Sequence, residues 1–180
     1  MFSDLRIDDH ELAQLRRAIE RVPGEIKVKA MSRAMRRMGQ MARTRIVDRN
    51  AKHVKLPKQL VAALTTAAFN AGGNTSKVTV ESGWIQLQRL GAVQSSSGVY
   101  VNVRGSYRHA FVAAMKSGHV GVFRRVSGSR QIRELFGPNP AHAITNNPDV
   151  YLDILATLIE GTLYPRYVHE LEFILSKLGR

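Results

Sequence analysis

The sequence predicts an α+β fold in which an antiparallel β-meander packs against N-terminal helices and a long kinked C-terminal helix. Three observations predict it. Apolar residues recur at helical spacing through residues 8–69, the period switches to two over residues 77–126, and helical spacing returns after Asn147 with a proline in its middle. A single domain is expected, because 180 residues lie within the range that one core fills before a chain splits, and 44% hydrophobic content can fill it. Its parts are residues 1–70, helical, residues 76–136, stranded, and residues 147–178, the C-terminal helix.

Asp8 and, three positions on, Glu11 make a capping-box pattern, and Leu12, Leu15, Ile19 and Val22 mark one face of a short first helix that Pro23-Gly24 ends. A second helix is expected over residues 25–49. There Met31, Ala34, Met35, Met38, Met41, Ala42 and Ile46 gather on one side, and Lys29, Arg33, Arg36, Arg37 and Arg43 on the other. A methionine stripe at this spacing reads as core, although it also suits an adaptable partner surface. The arginine stripe has almost no compensating acid, so it is a candidate DNA-facing surface as well as a solvated one. A third helix is expected over residues 57–69, opened by Pro57 and continued by Leu60, Val61 and Leu64, with AGGNTS at residues 71–76 ending the helical half.

Residues 77–81 and 84–90 read as strands flanking Ser82-Gly83. Val99, Val101 and Val103 then alternate with Tyr100, Asn102 and Arg104 ahead of Gly105-Ser106, a pair suited to a type II′ hairpin turn. Residues 107–115, the turn Ser117-Gly118 and residues 119–126 repeat the pattern, while residues 94–98 and 127–130 read as mobile loops. Asn147-Pro148-Asp149 supplies a cap, a first-turn proline and an acid matched to the helix dipole. The helix that follows is interrupted by Pro165, whose ring presses on the carbonyl of Gly161, so a kink is expected there.

Charge is unevenly spread. The chain carries 27 Lys and Arg against 14 Asp and Glu, a net +13. Residues 26–58 hold 11 of the cations against Asp48 alone, and a second basic tract runs over residues 104–133. Such a chain is attracted to phosphate backbones, anionic membranes or acidic proteins. No apolar run reaches the roughly 18 to 20 residues that span a bilayer, and the N-terminus lacks a basic region followed by an apolar one, so no membrane partner and cytosolic synthesis are expected. Zero cysteines exclude disulfides, thiolate nucleophiles and zinc-thiolate sites.

Chemistry is sparse. The six histidines are dispersed, with no HExxH and no acid at ligand spacing, so no metal is expected. His119 stands near Ser117, but neighbours in a tight turn point apart, and no GxSxG elbow accompanies them. No GxGxxG and no GxxxxGK[ST] offers a nucleotide cradle, and carboxylates are too few in the strand region for paired acid-base work. The chain therefore reads as non-enzymatic, without catalytic residues or cofactors. Tyr100, Tyr107, Phe111 and Phe123 are suited to stacking on bases, although alternation makes Phe111 and Phe123 equally suited to core positions.

The stretch FVAAMKSGHVGVFRR, residues 111–125, and QIRELFGPN, residues 131–139, resemble the most recognisable part of the minor tail protein Z family of lambda-like tailed bacteriophages. The resemblance includes Phe111, Met115, Ser117-Gly118-His119, Gly121 to Arg125, Ile132 and Glu134 to Pro138. It departs at Gln131 and Asn139, where family members often have proline and serine. RTRIVDRNAKHVKLPKQL, residues 43–60, is similar to the family's arginine-rich helix, linker and proline-started helix. The resemblance implies a structural virion protein at the head-proximal end of the tail, made in the bacterial cytoplasm and acting in tail completion and head-tail joining. It also implies a homo-oligomer, a hexameric ring by family analogy, around the DNA conduit, with the tail terminator, tube and head-completion proteins as neighbours. Phe111, His119, Phe123, Arg124, Arg125, Ile132, Glu134 and Phe136 are then the expected subunit interface. The alternative reading is a soluble, sequence-independent nucleic-acid-binding protein, favoured by the basic tracts.

Overall fold

A computed structural model describes residues 20, 22–126 and 129–178. The helix expected over residues 8–22 lies outside the described residues apart from Glu20 and Val22, and the loop at 127–130 is described only for Ser129 and Arg130. The architecture is α+β, with helices at both ends of the described chain and small antiparallel sheets between them.

Helix α1, Gly24–Val54, runs 31 residues, a turn longer than its apolar period suggests. It stops where Lys55 takes a left-handed φ of 51° and its N–H is bonded to the Ala51 carbonyl. Of the expected stripe, Ala34, Met38, Ala42 and Ile46 are buried, and Met31, Met35 and Met41 are half-buried. Along its length α1 touches three separate clusters in turn. Ala30 packs with Leu171 and Ile174, Met38 and Ala42 pack with Leu158, and Val47, Ala51 and Val54 enter the main core with Val99, Val101 and Val122.

Helix α2, Lys58–Ala63, is much shorter than expected. Residues 65–70 form strand β1, Thr65–Asn70, paired from Thr65↔Val80 to Asn70↔Thr75 with β2, Thr75–Val80. The β-branched pair Thr65-Thr66 and the alternation of Ala67 and Phe69 suit a strand, and the pairing to β2 outweighs the helical continuation from Leu64. AGGNTS thus spans the hairpin turn, closed by the Gly72 N–H on Asn70 Oδ1 at 3.0 Å, and the start of β2.

The expected strand over residues 84–90 is replaced by one bridge, Gln86↔Phe136, and a 3-10 turn, Leu87–Leu90. Ile85, Leu87 and Leu90 are all buried, a spacing that a single strand face cannot provide. Strands β3 (Ala92–Ser95), β4 (Gly98–Val101) and β5 (Gly105–Arg108) form one three-stranded meander. Residues 94–98 are its first hairpin rather than a mobile loop, and the second turn falls at residues 102–104, ahead of the expected Gly105-Ser106. Strands β6 (Ala110–Ala114), β7 (Val120–Arg125) and β8 (Ile132–Glu134) form a second meander. The single meander expected is therefore divided, and the division falls at His109, whose φ of 60° turns the chain between β5 and β6.

Helix α3, Pro140–Thr145, occupies a connection without readable period. Asn147 does precede α4, Pro148–Leu158, but its side chain does not cap it; Nδ2 donates to the Ala143 carbonyl at 3.0 Å. The kink is where Pro165 requires it. A π-turn, Ile159–Leu163, joins α4 to α5, Tyr164–Leu178, absorbing the missing N–H and the ring's pressure on residue 161. No described helix is long and apolar enough to cross a membrane.

Tyr151 of α4 is buried, and its hydroxyl has no hydrogen-bond partner among the described residues. Burial pushes its phenol up from the ordinary value, while Arg49 pulls it partly back. The folded state therefore holds this proton to higher pH than the unfolded state, so the contribution is complete below about pH 10 and is lost as pH rises further. Tyr151→Phe is expected to raise stability at neutral pH by about 1 kcal/mol, since it removes an unpaired buried group. A thermal melt series across the alkaline range should also show a shallower decline for the variant.

Candidate interaction surfaces

The hairpin sheet has two unlike faces. Residues directly opposite in an antiparallel pair share a face, and neighbours along a strand alternate. Ala110, Val112, Val122 and Leu135 belong to the main core or pack against it. The other face carries the row Phe111–Phe123–Glu134, then Arg125 opposite Ile132, with His119 immediately before β7. Six residues of the expected interface, Phe111, His119, Phe123, Arg125, Ile132 and Glu134, are thereby brought onto one face, where Arg125 and Ile132 are exposed and Phe111, His119 and Glu134 half-buried. Phe123 is buried there between Phe111, at 6.3 Å between ring centres, and the edge of His119, also at 6.3 Å.

His119 Nε2 lies 2.9 Å from Glu134 Oε1, clasping the tip of the β6–β7 hairpin to β8. This pair is closed across Gly121, where an added Cβ would stand 2.7 Å from Glu134 Oε1 and 3.1 Å from His119 Nε2. The glycine therefore leaves the space in which the two side chains meet. Fifteen residues separate the partners, so only the β7–β8 register brings them together. Arg124, also in the expected interface, lies exposed on the opposite face, directly across from Arg133. Phe136 stands beyond β8, bridged through its backbone to Gln86 and 42% exposed.

The expected DNA-facing residues divide similarly. Lys29, Arg33, Arg36 and Arg37 are exposed on α1. Arg43 is not available in the same way: its Nε donates to the Thr65 carbonyl and its Nη2 to the Ala62 carbonyl, both at 2.7 Å. The α2–β1 corner covers that end of the stripe, and Arg43 ties the end of α2 to the first residue of β1 through these two carbonyls. Beside the remaining stripe the fold sets Arg166 and His169 of α5. Arg33, Arg36, Arg37, Arg166 and His169 surround a cleft of about 470 Å³ between α1 and α5. Glu170, buried, holds Arg166 at 2.6 Å and Arg33 at 3.5 Å, and Arg33 also lies 5.0 Å above the Phe173 ring. One carboxylate thus orders two of four guanidiniums and leaves the cleft cationic. Sequence reasoning missed Arg166 and His169 because α5 reads as an apolar stripe in which they are the intervening polar positions.

Among the described residues no group of three His, Asp or Glu is arranged to hold a metal ion. Comparisons of the chain with protein-family models, curated proteins and solved structures return no match. The two surfaces differ in kind: one is a mixed apolar and charged sheet face, the other a concave cluster of guanidiniums.

Proposed function

We propose that the chain is a structural subunit of a tailed-phage neck, completing the tail at its head-proximal end and joining head to tail as a ring of like subunits around the DNA conduit. The observation that carries this reading is the outward face of the hairpin sheet. In the stretch that resembles the minor tail protein Z family, this face sets exposed Arg125 and Ile132 beside half-buried Phe111, His119 and Glu134 that pack around Phe123, a mixed apolar and charged composition suited to a contact surface. The tail terminator, tube and head-completion proteins are the neighbours that the resemblance suggests, and six subunits the number. Lys29, Arg33, Arg36 and Arg37 supply a cationic surface suited to a passing phosphate backbone. The test is mass spectrometry of purified virions together with deletion of the gene. Particles that lack the protein, or that are equally infectious without it, would remove the proposal.

Face assignment gives a sharper test. Arg125→Glu, on the outward face, is expected to reduce incorporation into tails by about tenfold or more, the scale of a lost charged contact at a desolvated interface. Arg124→Glu should leave incorporation near normal, because it faces Arg133 and exchanges a like-charge pair for an opposite one. Quantitative immunoblots of purified tails distinguish the two.

The α1–α5 cleft favours a second reading, a soluble sequence-independent nucleic-acid-binding protein. That protein would remain in the lysate after virions are removed, and its affinity for DNA would fall steeply with salt.

A further inference from the structure

An apolar groove of about 590 Å³ lies between α1, β2, α3 and α4, and its occupant is the question. Met35 and Met38 of α1, Val78 of β2, and Leu152, Leu155 and Ile159 line it. Leu152 and Ile159 are 60% and 55% exposed, unusually open for large aliphatic side chains beside a groove. Along the same helix and π-turn stand Asp149, Asp153 and Glu160, all exposed, and residues 148–163 contain no lysine or arginine. In a chain of net +13 this is an acidic island on an apolar edge. Arg49 of α1 lies near Tyr151.

The hairpin region has the opposite character. Residues 105–134 carry Arg108, Lys116, Arg124, Arg125, Arg130 and Arg133 against Glu134 alone. Ile132 and Phe136 there are 40% and 42% exposed. The two surfaces lie on different parts of the fold: β6–β8 pack against β3, β4 and the 3-10 turn, whereas helices and the β1–β2 hairpin wall the groove. Each copy therefore presents both surfaces at once. A contact between unlike patches is heterologous and propagates from copy to copy, closing a ring when its rotation permits.

We infer that the groove is the receiver for the hairpin sheet of a second copy. Ile132 and Phe136 lie against Leu152 and Ile159, and Arg125 lies beside Asp149 and Asp153. This rests on the reading of the hairpin's outward face as a subunit interface and names what that face binds. Apolar burial supplies the affinity, and the opposed charges set the register and disfavour hairpin-to-hairpin pairing.

The chain has no cysteine, so an introduced thiol is its only one. Ile132→Cys and Leu152→Cys, both at exposed positions, are mixed at high concentration and mildly oxidised, and the same variants are oxidised in purified virions. Mixed dimers are expected to exceed same-variant dimers by about tenfold, and the double variant should give a ladder of covalent oligomers. Asp153→Arg should reduce the mixed product, and Arg125→Asp in the partner copy should restore it. Predominance of same-variant dimers, or absence of intermolecular product both in solution and in virions, overturns the inference. A cross-link from Leu152→Cys to Leu15→Cys in preference to Ile132→Cys would give the groove to the chain's own N-terminal residues and overturn it too. Protein present in the neck without the 132–152 cross-link defeats the receiver alone; the cross-link without the protein in virions defeats the neck reading alone.

Discussion

Gly98→Ala is expected to lose about 3 kcal/mol or more of stability, lowering the melting temperature by roughly 6 to 12 °C for a chain of this size. Gly98 opens β4 with a φ of 152°, a backbone conformation that L side chains rarely adopt. A Cβ there would stand 2.2 Å from the Tyr107 carbonyl oxygen, 3.0 Å from Arg108 Cα and 3.1 Å from His109 N. All three are backbone atoms, so no side chain can swing aside. The backbone cannot easily yield, because Gly98 is paired with Arg108 and the His109 N–H donates to the Ser97 carbonyl at 3.0 Å. That neighbourhood is the corner where the chain leaves one meander for the other, and Val99 and Val101 of the displaced strand are buried in the main core. Gly105→Ala is the control. Its φ of 83° also disfavours alanine, yet nothing lies within 4 Å of its Cβ, so only about 1 kcal/mol of backbone strain is expected. Equal melting temperatures for the two variants would contradict the described corner.

The same contrast of local and distant causes decides what the sequence could tell. Helix α1 and the kink at Pro165 were readable because a 3.6-residue period and a missing N–H act within a few residues. The end of α2 was not. Leu60, Val61 and Leu64 continue a helix, Thr65, Ala67 and Phe69 suit a strand, and only β2, which lies across the hairpin, decides between them. Helix α3, at six residues, is too short to show a period.

The candidate surfaces follow the same division. Alternation along β7 separates Arg124 from residues 119, 123 and 125, but the expected interface ran across both sides, and only the β6–β7 register sets Phe111 opposite Phe123. The His119–Glu134 clasp and the place of Arg166 and His169 in the cleft depend on register and on helix packing, which no local pattern encodes. Arg43 shares a helical stripe with Arg36 and still meets a different fate, because the unforeseen α2–β1 corner sits over it.

Asn139→Ala is expected to be the second most damaging substitution, for a reason that also lies in that unreadable connection. Asn139 is buried, and each polar atom of its side chain is engaged. Its Oδ1 accepts from the Ala141 N–H at 3.0 Å, capping α3, and from the Gly83 N–H at 3.3 Å; its Nδ2 donates to Ser82 Oγ at 2.9 Å. The next residue continues the connection, since the Pro140 carbonyl accepts from Nδ2 of the fully buried Asn50 on α1 at 3.1 Å. One side chain thus ties the 82–83 turn and the start of α3 together beside the helix that organises all three clusters. Alanine would remove the cap and strip two backbone N–H groups of their side-chain acceptor, a loss of about 2 to 4 kcal/mol. Asn139→Ser retains a capping oxygen but not the reach to Gly83 and Ser82, so about half that loss is expected. Urea unfolding should show both midpoints lowered at unchanged slope, alanine more than serine, because the damage is to the folded state and not to the extent of unfolding. If serine proved as harmful as alanine, the cap would contribute nothing and the links to Ser82 and Gly83 would account for the whole effect.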